Sequence, residues 1–206
     1  KQTTALESVL RADGLLLQGI GRNVDILGIS NDSRTVKPGD LFICKGYGFK
    51  PEYLLKAREA GAVCYMAEEQ QADCPLPSLI VSDVRKAQSL AAQWFYDRPS
   101  DAFTLVGITG TKGKSSTAYY LKYILDEYLA EQGGPESGII SSIDTYDGVE
   151  RFESHITPPD AVDLQRHFAH AVAAGIPYLT MEVSSQALKY DRMDGVDLSA
   201  ADRLVV

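Results

Sequence analysis

The alternation of apolar and polar positions divides the chain into short buried runs separated by helical stretches. Leu105–Thr109 is a compact apolar run with β-branched Val106, Ile108 and Thr109 beside glycine, and it predicts a buried strand. From Ser115 onward Ala118, Leu121, Leu125 and Tyr128 recur at helical spacing, which predicts an amphipathic helix. Upstream, Leu6, Val9 and Leu10 predict a first helix, with a short strand around Asp25–Ile29. Leu41–Cys44, Ala62–Met66 and Leu79–Val81 read as strands. Helices are expected over Tyr53–Ala60, stopped by Gly61, and over Arg85–Tyr96, with Asp83 as N-cap. Downstream come a strand at Gly138–Ser142, a hairpin turn at Asp147-Gly148 and a strand at Tyr178–Val183. Between the last two lies a helix opened by Thr157 as N-cap with Pro158 at its first position, carrying Leu164, Phe168, Ala171 and Val172 on one face.

Strands alternating with helices of crossover length predict an α/β fold with a mainly parallel sheet. Arg98-Pro99-Ser100-Asp101 separates a helical pattern from the next strand, so the expected domains are residues 1–101 and 102–206. At 45% hydrophobic and 23% charged residues, the composition is that of a soluble globular protein. A net charge of −8 argues against a nucleic-acid partner, which needs a basic face. No segment reaches the roughly 20 apolar residues of a membrane span. Cys44, Cys64 and Cys74 lack metal-type spacing and read as buried thiols in a reducing cytosol, so the expected location is cytoplasmic. The chain starts at Lys1 without methionine and is expected to be trimmed.

The chemistry concentrates after the first strand of the second domain. Gly110, Thr111, Lys112 and Gly113 form a glycine-rich turn, and Lys114, Ser115 and Ser116 open the helix. Strand, glycine loop, Lys-Ser and helix is the order of a phosphate-binding loop. Backbone N–H groups face the anion, Lys114 adds positive charge, and the Ser115 hydroxyl can hold Mg²⁺. The general spacing is imperfect, since the expected first glycine falls on Ile108. Glu182, near the carboxyl end of a strand, could reach the same metal; a solvated loop carboxylate is the plainer reading. His167 and His170 stand three apart on one helix and, with no third ligand evident, read as a solvated face.

The loop TGTKGKSS (Thr109–Ser116) resembles the TGTNGK(S/T)(S/T) loop of the Mur ligase family, which is shared with folylpolyglutamate synthases. DSRTVKPGDLF (Asp32–Phe42) and AGAVCYMAEE (Ala60–Glu69) are similar to the N-terminal domain of MurE-type ligases, a domain that folylpolyglutamate synthases lack. MEVSSQALKYDRM (Met181–Met193) is similar to the MurE signature MEVSSHAL…HRV, and Thr157-Pro158-Pro159-Asp160 to its TTPE motif. Departures are Lys112 for asparagine, Pro158 for the second threonine, Gln186 for histidine, and Lys50-Pro51-Glu52 where a DGH-like motif is usual.

The resemblance implies an N-terminal α/β domain for a UDP-sugar and an incomplete P-loop central domain. It implies an ATP- and Mg²⁺-dependent amide-bond ligase of peptidoglycan precursor synthesis. That enzyme joins a diamino acid, L-lysine or meso-diaminopimelate, to UDP-MurNAc-L-Ala-D-Glu through an acyl phosphate. By the same resemblance Gly110–Ser116 bind nucleotide, Lys114 and Glu182 are catalytic, and Ser115 and Glu182 hold metal. Ser33, Thr157, Ser184, Ser185 and Arg192 contact the UDP-MurNAc-peptide. On residue pattern alone Ser33 reads equally as a turn-stabilising side chain, and Thr157 as a helix cap. A monomer is expected. Family members continue beyond this point, so these residues are expected to bind ligands rather than complete turnover. A non-catalytic nucleotide or UDP-sugar binding module and a small-molecule P-loop kinase stay open as alternatives, with the folate branch third.

Overall fold

The computed structural model describes residues 1–46, 48–154, 158–190 and 192–204, the last five by their backbone only. The chain divides into two compact units, Lys1–Phe95 and Tyr96–Val206. Each is an α/β unit, as the alternating pattern predicts.

The first unit contains α1 (Thr3–Ala12), β1 (Leu16–Gln18), β2 (Gly28–Ser30), β3 (Asp40–Ile43), α2 (Pro51–Glu59), β4 (Cys64–Ala67), β5 (Ser78–Val81) and α3 (Val84–Phe95). Its sheet runs β1-β5-β4-β3-β2, parallel except where β1 meets β5. Strands β3, β4 and β5 are buried at every position, which explains why they read as unbroken apolar runs rather than alternating ones. Phe42, Tyr65 and Ala67 pack with Leu54 and Ala57 of α2. The pleat turns Leu41, Ile43, Cys64 and Met66 to the opposite face. Asp83 caps α3, its Oδ1 accepting from the amides of Arg85 (3.0 Å) and Lys86 (3.2 Å). The three cysteines are free and buried, and burial pushes the Cys44 and Cys64 thiols up to about 12.

The second unit opens with a short 3₁₀ turn, Pro99–Ala102. It continues through β6 (Thr104–Gly110), α4 (Lys114–Glu131), β7 (Gly138–Ile140), β8 (Asp144–Tyr146), β9 (Arg151–Glu153), α5 (Ala161–Ala173), β10 (Tyr178–Glu182), α6 (Ser185–Lys189) and β11 (Ala200–Leu204). The strand order is β11-β6-β10-β7-β8-β9. Strands β11, β6, β10 and β7 are parallel, and β8 and β9 add an antiparallel hairpin. Leu105, Leu164, Phe168, Leu179 and Met181 form the core, with Phe103 edge-on to Phe168 at 5.6 Å. Gly107 of β6 is required by a close approach. A Cβ there would lie 2.7 Å from Leu198 Cδ1, so only glycine lets the incoming chain pack against the strand.

Two expectations need correcting here. The helix predicted to start at Thr157 starts at Ala161, capped by Asp160, whose carboxylate accepts from the Val162 amide. Proline disfavours helical backbone in the residue before it, so Pro158 and Pro159 delay the start. Thr157 itself lies outside the described residues. The buried stripe of α4 is Ala118, Lys122 and Leu129 rather than one running to Tyr128, which is about half exposed. Asp202 and Arg203 lie within β11, paired in parallel to β6.

Lys122 explains the shifted stripe. Its buried ammonium donates to Asp126 Oδ2 (2.7 Å), Glu136 Oε1 (2.8 Å) and the Ser137 carbonyl (2.9 Å). Asp126 Oδ1 also accepts from the Ser137 amide at 2.7 Å, which ties the last turns of α4 to the start of β7. Burial raises both carboxyls, but the hydrogen bonds outweigh it and hold Asp126 and Glu136 below the usual range. Their contribution to stability is therefore present above about pH 4, the unfolded carboxylate range, and is lost as pH falls through the depressed folded values. Lys122→Met should flatten that part of the acid dependence of denaturant unfolding. Leu105→Ala, at a fully buried position of β6, should cost about 2–5 kcal/mol in the same measurement.

Candidate functional site

Parallel pairing places the carboxyl ends of β6, β10 and β7 side by side, with Glu182 of β10 in register with Ile108 of β6. At the end of β6 the chain turns through Gly110–Gly113 into α4. Gly113 takes a left-handed conformation (φ +78°) as the residue before the helix, which is why glycine stands there. The first amides of α4 point toward the loop, and their partial positive charge favours an anion. Thr111, Lys112 and Gly113 are exposed, and Lys114 and Ser115 are half-buried. Lys114 Nζ donates to the Gly110 carbonyl at 2.9 Å, holding the ammonium against its own loop.

Glu182 is only 2% exposed. Its Oε2 accepts from Ser115 Oγ at 3.2 Å, and its Oε1 from the Ser142 amide at 2.9 Å and Ser142 Oγ at 3.3 Å. Ser115 and Ser142 hydroxyls are 3.0 Å apart. A buried carboxylate therefore meets a half-buried and an exposed hydroxyl at one point, with no cation within ion-pairing distance among the described residues. Burying a carboxylate without a counter-charge is costly, and these donors are all neutral. The set consists of hard oxygen ligands and fits Mg²⁺.

Ser142 is held by a tight turn. Ser141 Oγ accepts from the amides of Ile143 (3.1 Å) and Asp144 (3.0 Å) and donates to the Asp144 carbonyl (2.9 Å). Tyr119 of α4 donates to Asp144, and burial together with that carboxylate pushes its phenol up to about 12. Ser142 was not singled out by sequence reasoning. Its only signal is the Ser-Ser pair ending an apolar strand, and its distance from Glu182 depends on the β7–β10 pairing.

The other predicted residues are more dispersed. Ser184 caps α6, its Oγ accepting from the Ala187 amide at 3.2 Å. Ser185 is exposed on the first turn of that helix. Arg192 donates to the Pro158 carbonyl at 3.2 Å, next to the undescribed Thr157. Ser33 belongs to the first unit, in the turn where the Asp32 carboxylate accepts from the Arg34 guanidinium, Nε at 2.9 Å and 3.1 Å and Nη2 at 2.6 Å. Those bonds, working against burial, hold the Asp32 carboxyl below its usual range. The solvated face expected at His167 and His170 is contradicted, because His167 is buried and both imidazoles bond Asp147.

The Mur ligase middle domain matches residues 108–201. Among curated relatives, UDP-N-acetylmuramyl-tripeptide synthetases from Bifidobacterium longum and Lactobacillus delbrueckii subsp. bulgaricus are 44% and 42% identical. Those matches cover 84% and 82% of this chain and 33% of each relative. The UDP-N-acetylmuramoyl-L-alanyl-D-glutamate–L-lysine ligase of Enterococcus faecalis is 41% identical over 82% of this chain and 33% of its own length. The chain thus spans about a third of the length of the curated relatives it matches. Among solved structures, a UDP-N-acetylmuramoyl-L-alanyl-D-glutamate–2,6-diaminopimelate ligase superposes with a TM-score of 0.67 at 22% identity. It covers 88% of this chain and 37% of that one, and the likeness is one of fold. With the middle-domain match and relatives at this level of identity, the chain belongs to the Mur ligase family.

Proposed function

We propose that this chain provides the nucleotide- and UDP-sugar-binding parts of an ATP-dependent ligase of peptidoglycan precursor synthesis. The ligase adds a diamino acid to UDP-MurNAc-L-Ala-D-Glu in the cytoplasm. One observation carries the reading: Ser115, Ser142 and buried Glu182 converge beside the Lys114 loop, at the carboxyl ends of three parallel strands. The names of its relatives point to the same chemistry.

A carboxylate is a poor electrophile because its leaving group would be oxide. In the proposed reaction the D-glutamate side-chain carboxylate attacks the γ-phosphorus of ATP, forming an acyl phosphate and releasing ADP. The amine then attacks the acyl carbon, phosphate leaves, and the nitrogen loses a proton to give the amide. The loop amides of Gly110–Ser116 cradle the phosphates. Lys114 exchanges its Gly110 carbonyl for phosphate oxygens and offsets the charge that builds during transfer. Ser115 and Glu182 are the metal-holding groups, with the Ser142 amide fixing the Glu182 carboxylate. Mg²⁺ held there supplies charge neutralisation and phosphate alignment. Ser33, Thr157, Ser184, Ser185 and Arg192 are proposed for the UDP-MurNAc-peptide, and the protein is proposed to act as a monomer. Among the described residues no helix is long and apolar enough to cross a membrane.

Thermal shift with each ligand added separately tests the assignment. A ligand at a hundred times its dissociation constant stabilises by about 2.7 kcal/mol if it binds only the folded state. Shifts with both UDP-MurNAc-L-Ala-D-Glu and Mg-ATP are expected, and none with a folate. A shift with Mg-ATP alone, together with phosphate transfer to a small acceptor, would replace this reading with a kinase. Lys114→Ala should abolish the ATP shift while leaving the melting temperature without ligand within a few degrees. Glu182→Gln should remove the dependence of ATP binding on Mg²⁺. Ser142→Ala should weaken that dependence more modestly, because its amide still holds Glu182 Oε1.

A further inference from the structure

A second polar cluster lies at the turn of the β8–β9 hairpin. Asp147, at the turn after β8, is fully buried. Its Oδ1 accepts from the amides of Val149 (2.9 Å) and Glu150 (2.7 Å), which fix the carboxylate plane. Its Oδ2 meets both His167 Nδ1 at 2.6 Å and His170 Nδ1 at 2.8 Å. Glu150 Oε2 is 3.9 Å from His167 Nδ1. One ligand atom from each of the four residues lies within 4.8 Å of the other three. Burial raises the Asp147 carboxyl, but the bonds from His167, the two amides and His170 outweigh it and hold it far below the usual range. Asp147 is therefore an anion, and both imidazoles present a proton at Nδ1 to the same oxygen.

We propose that Asp147, Glu150, His167 and His170 form a structural site for a divalent transition metal of the zinc class, pinning the β8–β9 hairpin to α5. Two imidazole nitrogens and two carboxylate oxygens are a borderline donor set of the kind that Zn²⁺ and Co²⁺ take. The metal takes the place of the two Nδ1 protons while each ring carries its proton at Nε2 instead, so both imidazoles bind as neutral ligands and the collapsed hydrogen bonds mark where the ion sits. Metal–ligand bonds of about 2.0–2.1 Å at tetrahedral angles need ligand atoms roughly 3.3 Å apart, so the two short contacts must open by about 0.5–0.7 Å and Glu150 must close on His167 by a similar amount. Four protein ligands leave no open position, which makes the site structural rather than catalytic. Asp147 arrives already oriented by backbone amides, as a ligand needs from its surroundings. His170 is partly exposed and gives the ion its way in. Arg166 holds Glu150 Oε2 at 2.7 Å and lies 3.5 Å from His167 Nε2, a contact that must loosen when that nitrogen carries the proton. Helical spacing alone showed two imidazoles that read as a solvated face, and the fold brings Asp147 and Glu150 to them.

The purified chain would be titrated with Co²⁺ and then Zn²⁺, followed by visible absorption and calorimetry. One equivalent of Co²⁺ should give the visible bands of a four-coordinate nitrogen and oxygen site, and Zn²⁺ should displace it and raise the melting temperature. His170→Gln and Asp147→Asn should each weaken Zn²⁺ roughly tenfold or more. Glu182→Gln should not, which separates this site from the one beside the phosphate loop. His170→Gln removes a partly exposed group, and a cooperative melt without metal will show that it folds. Absence of stoichiometric binding, or wild-type affinity in the folded His170→Gln chain, would overturn the proposal.

Discussion

The carboxylate of Glu182 is the constraint on which the second unit's chemistry rests. It sits at the end of an interior strand, nearly sealed from water, and bonds to groups that follow each of its two neighbours: a hydroxyl after β6 and an amide and hydroxyl after β7. A buried anion solvated only by neutral dipoles is incompletely compensated. The sheet tolerates it because register, core packing and the Ser141 turn all hold the donors in place. A cation at that point would relieve the deficit. The cost in stability and the proposed capacity to hold a metal are thus the same feature seen from folding and from binding.

Charge placed inside the fold recurs elsewhere, with a different resolution. Lys122 is as well buried as Glu182, yet its ammonium finds two carboxylates and a carbonyl, so it is closed by protein alone. Asp147 is compensated by imidazole and amide protons, the former of which a metal can displace. The three sites show a gradation from sealed ion pair, through displaceable protons, to an anion with no positive partner among the described residues.

Much of the α/β architecture was legible because β3, β4, β5 and β6 are continuous apolar runs and the helices between them carry clear stops. The turn from β6 into α4 was legible because its pattern is local: glycine, lysine and serine fall within seven residues. Ser142 was not, because its meaning depends on β10 inserting beside β7. Strands β8 and β9 are three residues each, too short to show a period. Lys122 hid the true inner face of α4, since a charged residue marks an outer face unless its partners are known. His167 and His170 advertised a pair, but the aspartate that defines them is twenty residues earlier, across a hairpin. In each case the missing information was non-local pairing.

The strand order has a consequence in time. Strand β10 lies between β6 and β7 although it follows both in the chain, and β11 covers the far edge of β6 later still. During synthesis the phosphate loop and Ser142 therefore emerge while β6 has neither of its final neighbours. Two unpaired edges of an apolar strand are exposed through that interval, a condition that favours association with other chains. The loop cannot acquire its buried carboxylate until Glu182 leaves the ribosome. For this unit, the meeting of the Glu182 carboxylate with the Ser115 loop is a late event of folding, and the growing chain is at its most vulnerable just before it.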